Sequence, residues 1–193
     1  MKTKIIKSLV IFLCIPFIGN VVYTQDPPPP PPPGPALKKS VGKATISYLR
    51  GSDTSSSRVG FCVLGDYGIE LKEDALCLEF RFENKGKTVI KPATVAITMR
   101  SQARGRDYKY TEDHKLAISV NDKLIVSENT NLMSREVDQR GWVTEMYATN
   151  FPYDAFTKMI EAKTVTLRFG KTEASFKPED LAALVDLNRT IGN

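Results

Sequence analysis

Histidine, cysteine and tryptophan are scarce here: the 193 residues hold one histidine, three cysteines and one tryptophan. Transition-metal sites draw on His and Cys. With Cys14 inside the leader described below, His114 and two distant cysteines, Cys62 and Cys77, cannot build a zinc cage. The acids Glu70, Glu73 and Asp74 lack the spacing of a calcium-binding loop and read as a solvated acidic turn. Acyl transfer needs a nucleophile, a base and an orienting carboxylate in one frame. Asp113 precedes His114, and Ser101 and Ser119 are near in sequence, but the chain has no Gly-x-Ser-x-Gly elbow. His114 sits in a strongly polar stretch, 111–115, and is expected on a solvated surface connection. No metal, no cofactor and no catalytic residue is expected, so the chain reads as a non-enzyme. A hydrolase built around His114 or the acids is the weakest alternative.

Long apolar runs are missing too. The apolar stretch 8–18 is broken by Pro16 and falls short of the ~20 residues that span a bilayer. Its setting is that of an export signal. A basic start with Lys2, Lys4 and Lys7 precedes the apolar stretch, and a polar exit follows it. Val22 and Thr24 are the modest-sized residues at −3 and −1 of the expected cut, so residues 1–24 form the signal peptide and Gln25 opens the mature chain. Lipoproteins are cut before a lipidated cysteine, which makes anchoring at Cys14 the alternative, but Leu13 is not the small residue such a cut prefers. The expected location is the periplasm or the exterior, with no membrane span left after cleavage. Of 27 Lys and Arg, the three of the leader are lost, leaving 24 against 22 Asp and Glu, a net charge of +2. Nucleic-acid binding thereby loses its compositional support.

Proline is abundant where the leader ends. Residues 27–33 are all proline, followed by Gly34 and Pro35. Proline lacks a backbone donor and has a fixed φ, so this tract adopts polyproline II. At ~3.1 Å per residue, 27–35 spans roughly 28 Å. Residues 25–37 are therefore a stiff spacer, and 38–193 are expected to form a single β-rich domain, long enough to bury a core.

Within that domain, strands are expected over 44–49, 59–64, 75–83, 94–99, 116–120, 124–126, 142–148, 165–169 and 174–176, from period-two alternation in 44–49, 75–83, 94–99 and 165–169 and from an apolar, β-rich run in 59–64. The clearest is 75–83, where Leu76, Leu78, Phe80 and Phe82 face one way and Glu79 and Arg81 the other. Turns are expected at 65–68, 84–87 and 121–123. Helices are expected over 153–162, opened by Pro152, and from Pro178 onward. Phe156, Met159 and Ile160 share one face of the first. Leu181, Leu184, Val185, Leu187 and Ile191 form the stripe of the second. The fold class is α+β, mainly antiparallel β: an immunoglobulin-like sandwich or partly open barrel with one short helix and a C-terminal helix packed on it.

Two features carry functional expectations. Cys62 and Cys77 lie in strand-like stretches and, in an oxidising compartment, either pair or remain buried thiols. The segment 100–110 is expected to be a loop between strands, and it concentrates Arg100, Arg104, Arg106, Tyr108, Lys109 and Tyr110. Arginine forks bind carboxylate and phosphate bidentately, and tyrosines offer flat contact area. That loop predicts an exported binding module whose partner is an anionic polymer or an acidic protein surface. A structural or assembly accessory that pairs through an exposed strand edge is the alternative. Trp142, Tyr147, Phe151 and Tyr153 are read as core aromatics rather than sugar-stacking rings. The sequon at Asn188 falls in the last helix and is read as a bystander.

Overall fold

Alternate residues of a pleated strand face opposite ways, and this simple rule builds most of the molecule. The computed structural model describes residues 43–65, 74–105, 109–110 and 112–192. The signal segment, Cys14, the proline spacer, Glu70, Glu73, Arg106 and Tyr108 lie outside those residues. Along β3 (Ala75–Lys85), Leu76, Leu78, Phe80 and Phe82 are buried, while Cys77, Glu79 and Arg81 on the other face are only half-buried. β3 pairs antiparallel with β2 (Thr54–Leu64) on one side and β4 (Thr94–Arg104) on the other. β1 (Thr45–Leu49) extends this sheet beyond β2, and β8 (Trp142–Pro152) and β7 (Asn131–Val137) extend it beyond β4. The second sheet runs β10 (Thr172–Ser175), β9 (Val165–Phe169), β5 (Lys115–Val120), β6 (Lys123–Asn129), again all antiparallel.

The two sheets pack face to face as a sandwich. Val59, Phe80, Ile97 and Phe151 of the six-stranded sheet share one core with Leu116, Ile118, Leu167 and Phe169 of the four-stranded one. Phe80, with 0 % of its surface exposed, is central. Its ring lies 5.8 Å from Phe61, 6.3 Å from Phe151, 6.4 Å from Phe156 and 6.3 Å from Phe176, centroid to centroid. These contacts join β2, β3, β8, the first helix and the segment after β10.

Helix α1 (Tyr153–Ile160) follows directly from β8 after Pro152 and buries Phe156 and Met159. Helix α2 (Pro178–Asn188) buries Ala183, Leu184 and Leu187 and packs against β2 and α1. Its start carries a capping interaction, in which the Asp180 carboxylate accepts the Lys177 backbone N–H at 2.8 Å. Burial pushes the Asp180 carboxyl up from its ordinary value. Among the described residues no helix is long and apolar enough to cross a membrane.

The α+β, mainly antiparallel class holds, with local differences from the expected elements. β2 begins at Thr54, well before the apolar run, because Ser55 and Ser57 face inward and are buried despite their hydroxyls; Ser55 meets its own need by donating to the Gly86 carbonyl. β4 continues to Arg104, so Arg100 and Arg104 lie on a strand rather than in a loop. β7 was not expected at all. Its alternation is broken by a register shift between Leu132 and Ser134, a bulge at Met133.

Candidate functional site

Antiparallel pairing sorts the connections to the two ends of the sandwich. The β1–β2, β3–β4 and β5–β6 connections lie at the end that α1 closes. There the β5–β6 hairpin turns on Asn121 (φ 47°) and Asp122 (φ 65°), the left-handed pair of a type I′ turn. A shallow cleft of about 460 Å³ lies beside it, lined by residues including Lys123, Ile125, Lys158 and Glu161. The opposite end gathers the 138–141 and 170–171 connections together with the described ends of the 65–74 and 105–114 connections. Loops held by a rigid scaffold are where proteins place binding residues.

At this loop end the 105–114 connection crosses from the six-stranded to the four-stranded sheet, and its base is anchored by buried polar groups. Glu145 of β8 points inward and has 1 % of its side chain exposed. One of its oxygens accepts the backbone N–H of Lys109 at 2.8 Å and of Tyr110 at 3.3 Å. The other accepts Nε of Arg135 at 3.2 Å and lies 3.1 Å from the Tyr147 hydroxyl. Arg135 also donates to that hydroxyl at 2.8 Å. Burial pushes the Tyr147 phenol up from its ordinary value. The Tyr147 hydroxyl also lies 3.1 Å from the Tyr110 carbonyl, so its one proton serves either that carbonyl or Glu145. At the second sheet, Gly170 (φ +55°) leaves room for Asp113 and Tyr110; a Cβ there would collide with the Asp113 carbonyl.

The structure separates the residues that the sequence groups in this segment. Arg100 is half-buried on the outer face of the sheet, between Cys77 and Met146 on the neighbouring strands. Arg104 is exposed at the tip of β4, opposite Trp142. Lys109 is exposed, with its ammonium 3.5 Å from Asp74. Tyr110, 1 % exposed, is a core residue. Its ring packs 4.4 Å from Phe169, and its hydroxyl bonds Thr172 at 2.9 Å. The segment therefore offers Arg104 and Lys109 at the surface while Tyr110 roots it. Sequence reasoning missed Arg135, Glu145 and Arg140. A polar residue on the same strand face as Val143 and Tyr147 was the available signal for Glu145.

Charge at the loop end is mixed. Arg104, Lys109, Lys115, Arg140 and Lys171 stand against Asp74, Glu112, Asp113 and Asp138 among the described residues. Arg140 pairs with Asp138 at 3.1 Å. The Asp138 carboxyl is held below its usual range, chiefly by the Trp142 backbone N–H.

His114 is half-buried rather than fully solvated, its ring stacked 5.6 Å from that of Tyr147. Trp142, Tyr147, Phe151 and Tyr153 are all buried. Both sequon side chains are engaged: Asn188 accepts the Tyr153 hydroxyl at 2.6 Å, and Thr190 is buried.

Cys62 and Cys77 face one another in the β2–β3 register and are joined by a disulfide, with Cα atoms 3.8 Å apart. The bridge closes the 65–74 connection at its base. Cross-linking a loop of about 15 residues restricts the unfolded chain by about 3 kcal/mol. The double variant Cys62→Ser/Cys77→Ser is expected to lose about that much stability in urea unfolding, with the loss absent when the native chain is reduced beforehand. Equal stability of the oxidised native chain and the serine variant would contradict the entropic account.

The fold defines a class, an antiparallel two-sheet sandwich closed at one end by helices. No family model matches the chain, and no curated protein and no solved structure matches it.

Proposed function

We propose that the chain is an exported, non-enzymatic interaction module that presents the loop end of its sandwich to a partner in the cell envelope or extracellular space. The observation that carries this reading is the asymmetry of the sandwich: helices close one end, and four connections with surface charges of both signs gather at the other. The basic, then apolar, start of the chain supports export, and the half-exposed disulfide suits an oxidising compartment. The mixture of cations and acids favours an acidic patch on a protein over a uniform anionic polymer, because complementary patches give specificity as well as attraction.

A second reading has its own observation. β7 is the outermost strand of its sheet, and Leu132, Met133 and Val137 on it are 46 %, 63 % and 51 % exposed. Such an edge suits strand addition by an assembly partner. Capture from an envelope extract on immobilised protein separates the two. The triple variant Arg104→Glu/Lys109→Glu/Arg140→Glu is expected to weaken capture about tenfold or more, in a salt-sensitive manner. The variant Leu132→Lys/Val137→Lys is expected to retain it. The reverse result would transfer the function to the edge, and full capture by the triple variant would remove the loop-end reading.

A further inference from the structure

We propose that Arg135 and Glu145 form a latch that sets the backbone of Lys109 and Tyr110 and ties it to the outermost strand β7. The role is one of positioning, and its meaning for partner binding rests on the loop-end reading above. Glu145 can only accept hydrogen bonds. Two backbone N–H groups from the connection donate to one oxygen and Arg135 donates to the other, which shares the single Tyr147 hydroxyl proton with the Tyr110 carbonyl. The Arg135 fork reaches Glu145 and Tyr147 together. Tyr147 in turn lies within hydrogen-bond reach of the Tyr110 carbonyl. The described base of the connection is thus bonded directly to Glu145 and Tyr147 of β8, and through those two side chains to Arg135 of β7.

Arg135 lies two residues beyond the bulge at Met133, on a strand paired only with β8 among the described strands. A bulge is where a strand absorbs a change of twist or register. A displacement of β7 moves the guanidinium, and the carboxylate then loses its counter-charge while still holding the two amides. The fold therefore couples the state of an exposed edge to the conformation of the loop end.

Amide hydrogen exchange followed by NMR on the whole chain tests the latch without needing a partner. Arg135→Lys keeps the charge but loses the fork that spans Glu145 and Tyr147. Glu145→Gln replaces one acceptor oxygen by a donor, which must face either the guanidinium or the two backbone N–H groups. In both variants the Lys109 and Tyr110 amides are expected to exchange at least about tenfold faster, the factor carried by one charge-assisted hydrogen bond. The Ile97 and Leu167 amides, deep in the two sheets, should keep their native rates. Unchanged rates at Lys109 and Tyr110 would overturn the latch, as would an equal acceleration at all four sites. Capture measured in parallel separates this inference from the reading beneath it. Fast Lys109 and Tyr110 exchange with full capture leaves the latch standing and tells against the loop-end reading. Native exchange in both variants, together with loss of capture in the triple charge variant, does the opposite.

Discussion

Phe80→Ala is expected to lose about 3–5 kcal/mol of stability, the range for truncating a buried aromatic. Phe80 is completely buried and contacts Phe61, Phe151, Phe156 and Phe176 by its ring. Those neighbours come from β2, β8, α1 and the lead into α2, so no single element can move in to fill the void. The cost of a cavity grows with the volume that fails to collapse. For a domain of this size the loss corresponds to a fall of roughly 10 °C in melting temperature. Phe80→Leu, which leaves most of the volume filled, should cost about 1–1.5 kcal/mol. Ile90→Ala, at a site 58 % exposed, should change stability by no more than about 0.5 kcal/mol. Thermal and urea unfolding of the three variants checks the order. A Phe80→Ala protein as stable as Ile90→Ala would place the core elsewhere.

The ring cluster around Phe80 also shows why much of the fold was legible in the sequence. Leu76, Leu78, Phe80 and Phe82 alternate without interruption, as do Val95, Ile97 and Met99, and both strands are where that pattern puts them. The helices were marked by Pro152 and Pro178 and by apolar residues at helical spacing. β7 escaped because its bulge breaks the alternation that identifies strands. The serine-rich start of β2 escaped because its inward positions, Ser55 and Ser57, are polar and so carry no apolar alternation although both are buried. The cysteines were half legible. With Phe61 and Val63 inward on β2, and Leu76 and Leu78 inward on β3, Cys62 and Cys77 must share the outer face. The register that sets them opposite one another depends on the 65–74 connection, which composition does not fix. The candidate site was the least legible part. Arg104 and Lys109 were singled out and are exposed, but Tyr110 was singled out for the same loop and lies in the core. What roots it is Glu145, whose partners come from residues ten and some thirty-five positions away. Contacts of that separation leave no local periodic trace.

Arg135→Ala is expected to destabilise the domain by about 3–5 kcal/mol, because it strands a carboxylate that is 1 % exposed without its counter-charge. The arginine is 24 % exposed and keeps some access to water, whereas the carboxylate is 1 % exposed, so the larger share of the effect falls on Glu145. A double variant distinguishes this account from simple loss of packing. Replacing both members of a buried ion pair by apolar residues is often nearly neutral, but here the carboxylate also accepts the backbone N–H groups of Lys109 and Tyr110. Arg135→Met/Glu145→Leu should therefore recover only part of the loss, because a buried unsatisfied amide costs about 1–3 kcal/mol. Arg135→Met/Glu145→Gln should recover more and come within about 1.5 kcal/mol of the native chain. With the guanidinium gone, the glutamine oxygen can face the two amides while its amino group donates to the Tyr147 hydroxyl. The expected order of urea stability is native, Met/Gln, Met/Leu, then Arg135→Ala. If Met/Leu matched or exceeded Met/Gln, the carboxylate would not be holding the connection by hydrogen bonds. The anchor would then be Tyr110 itself, through its packing against Phe169 and its hydroxyl bond to Thr172.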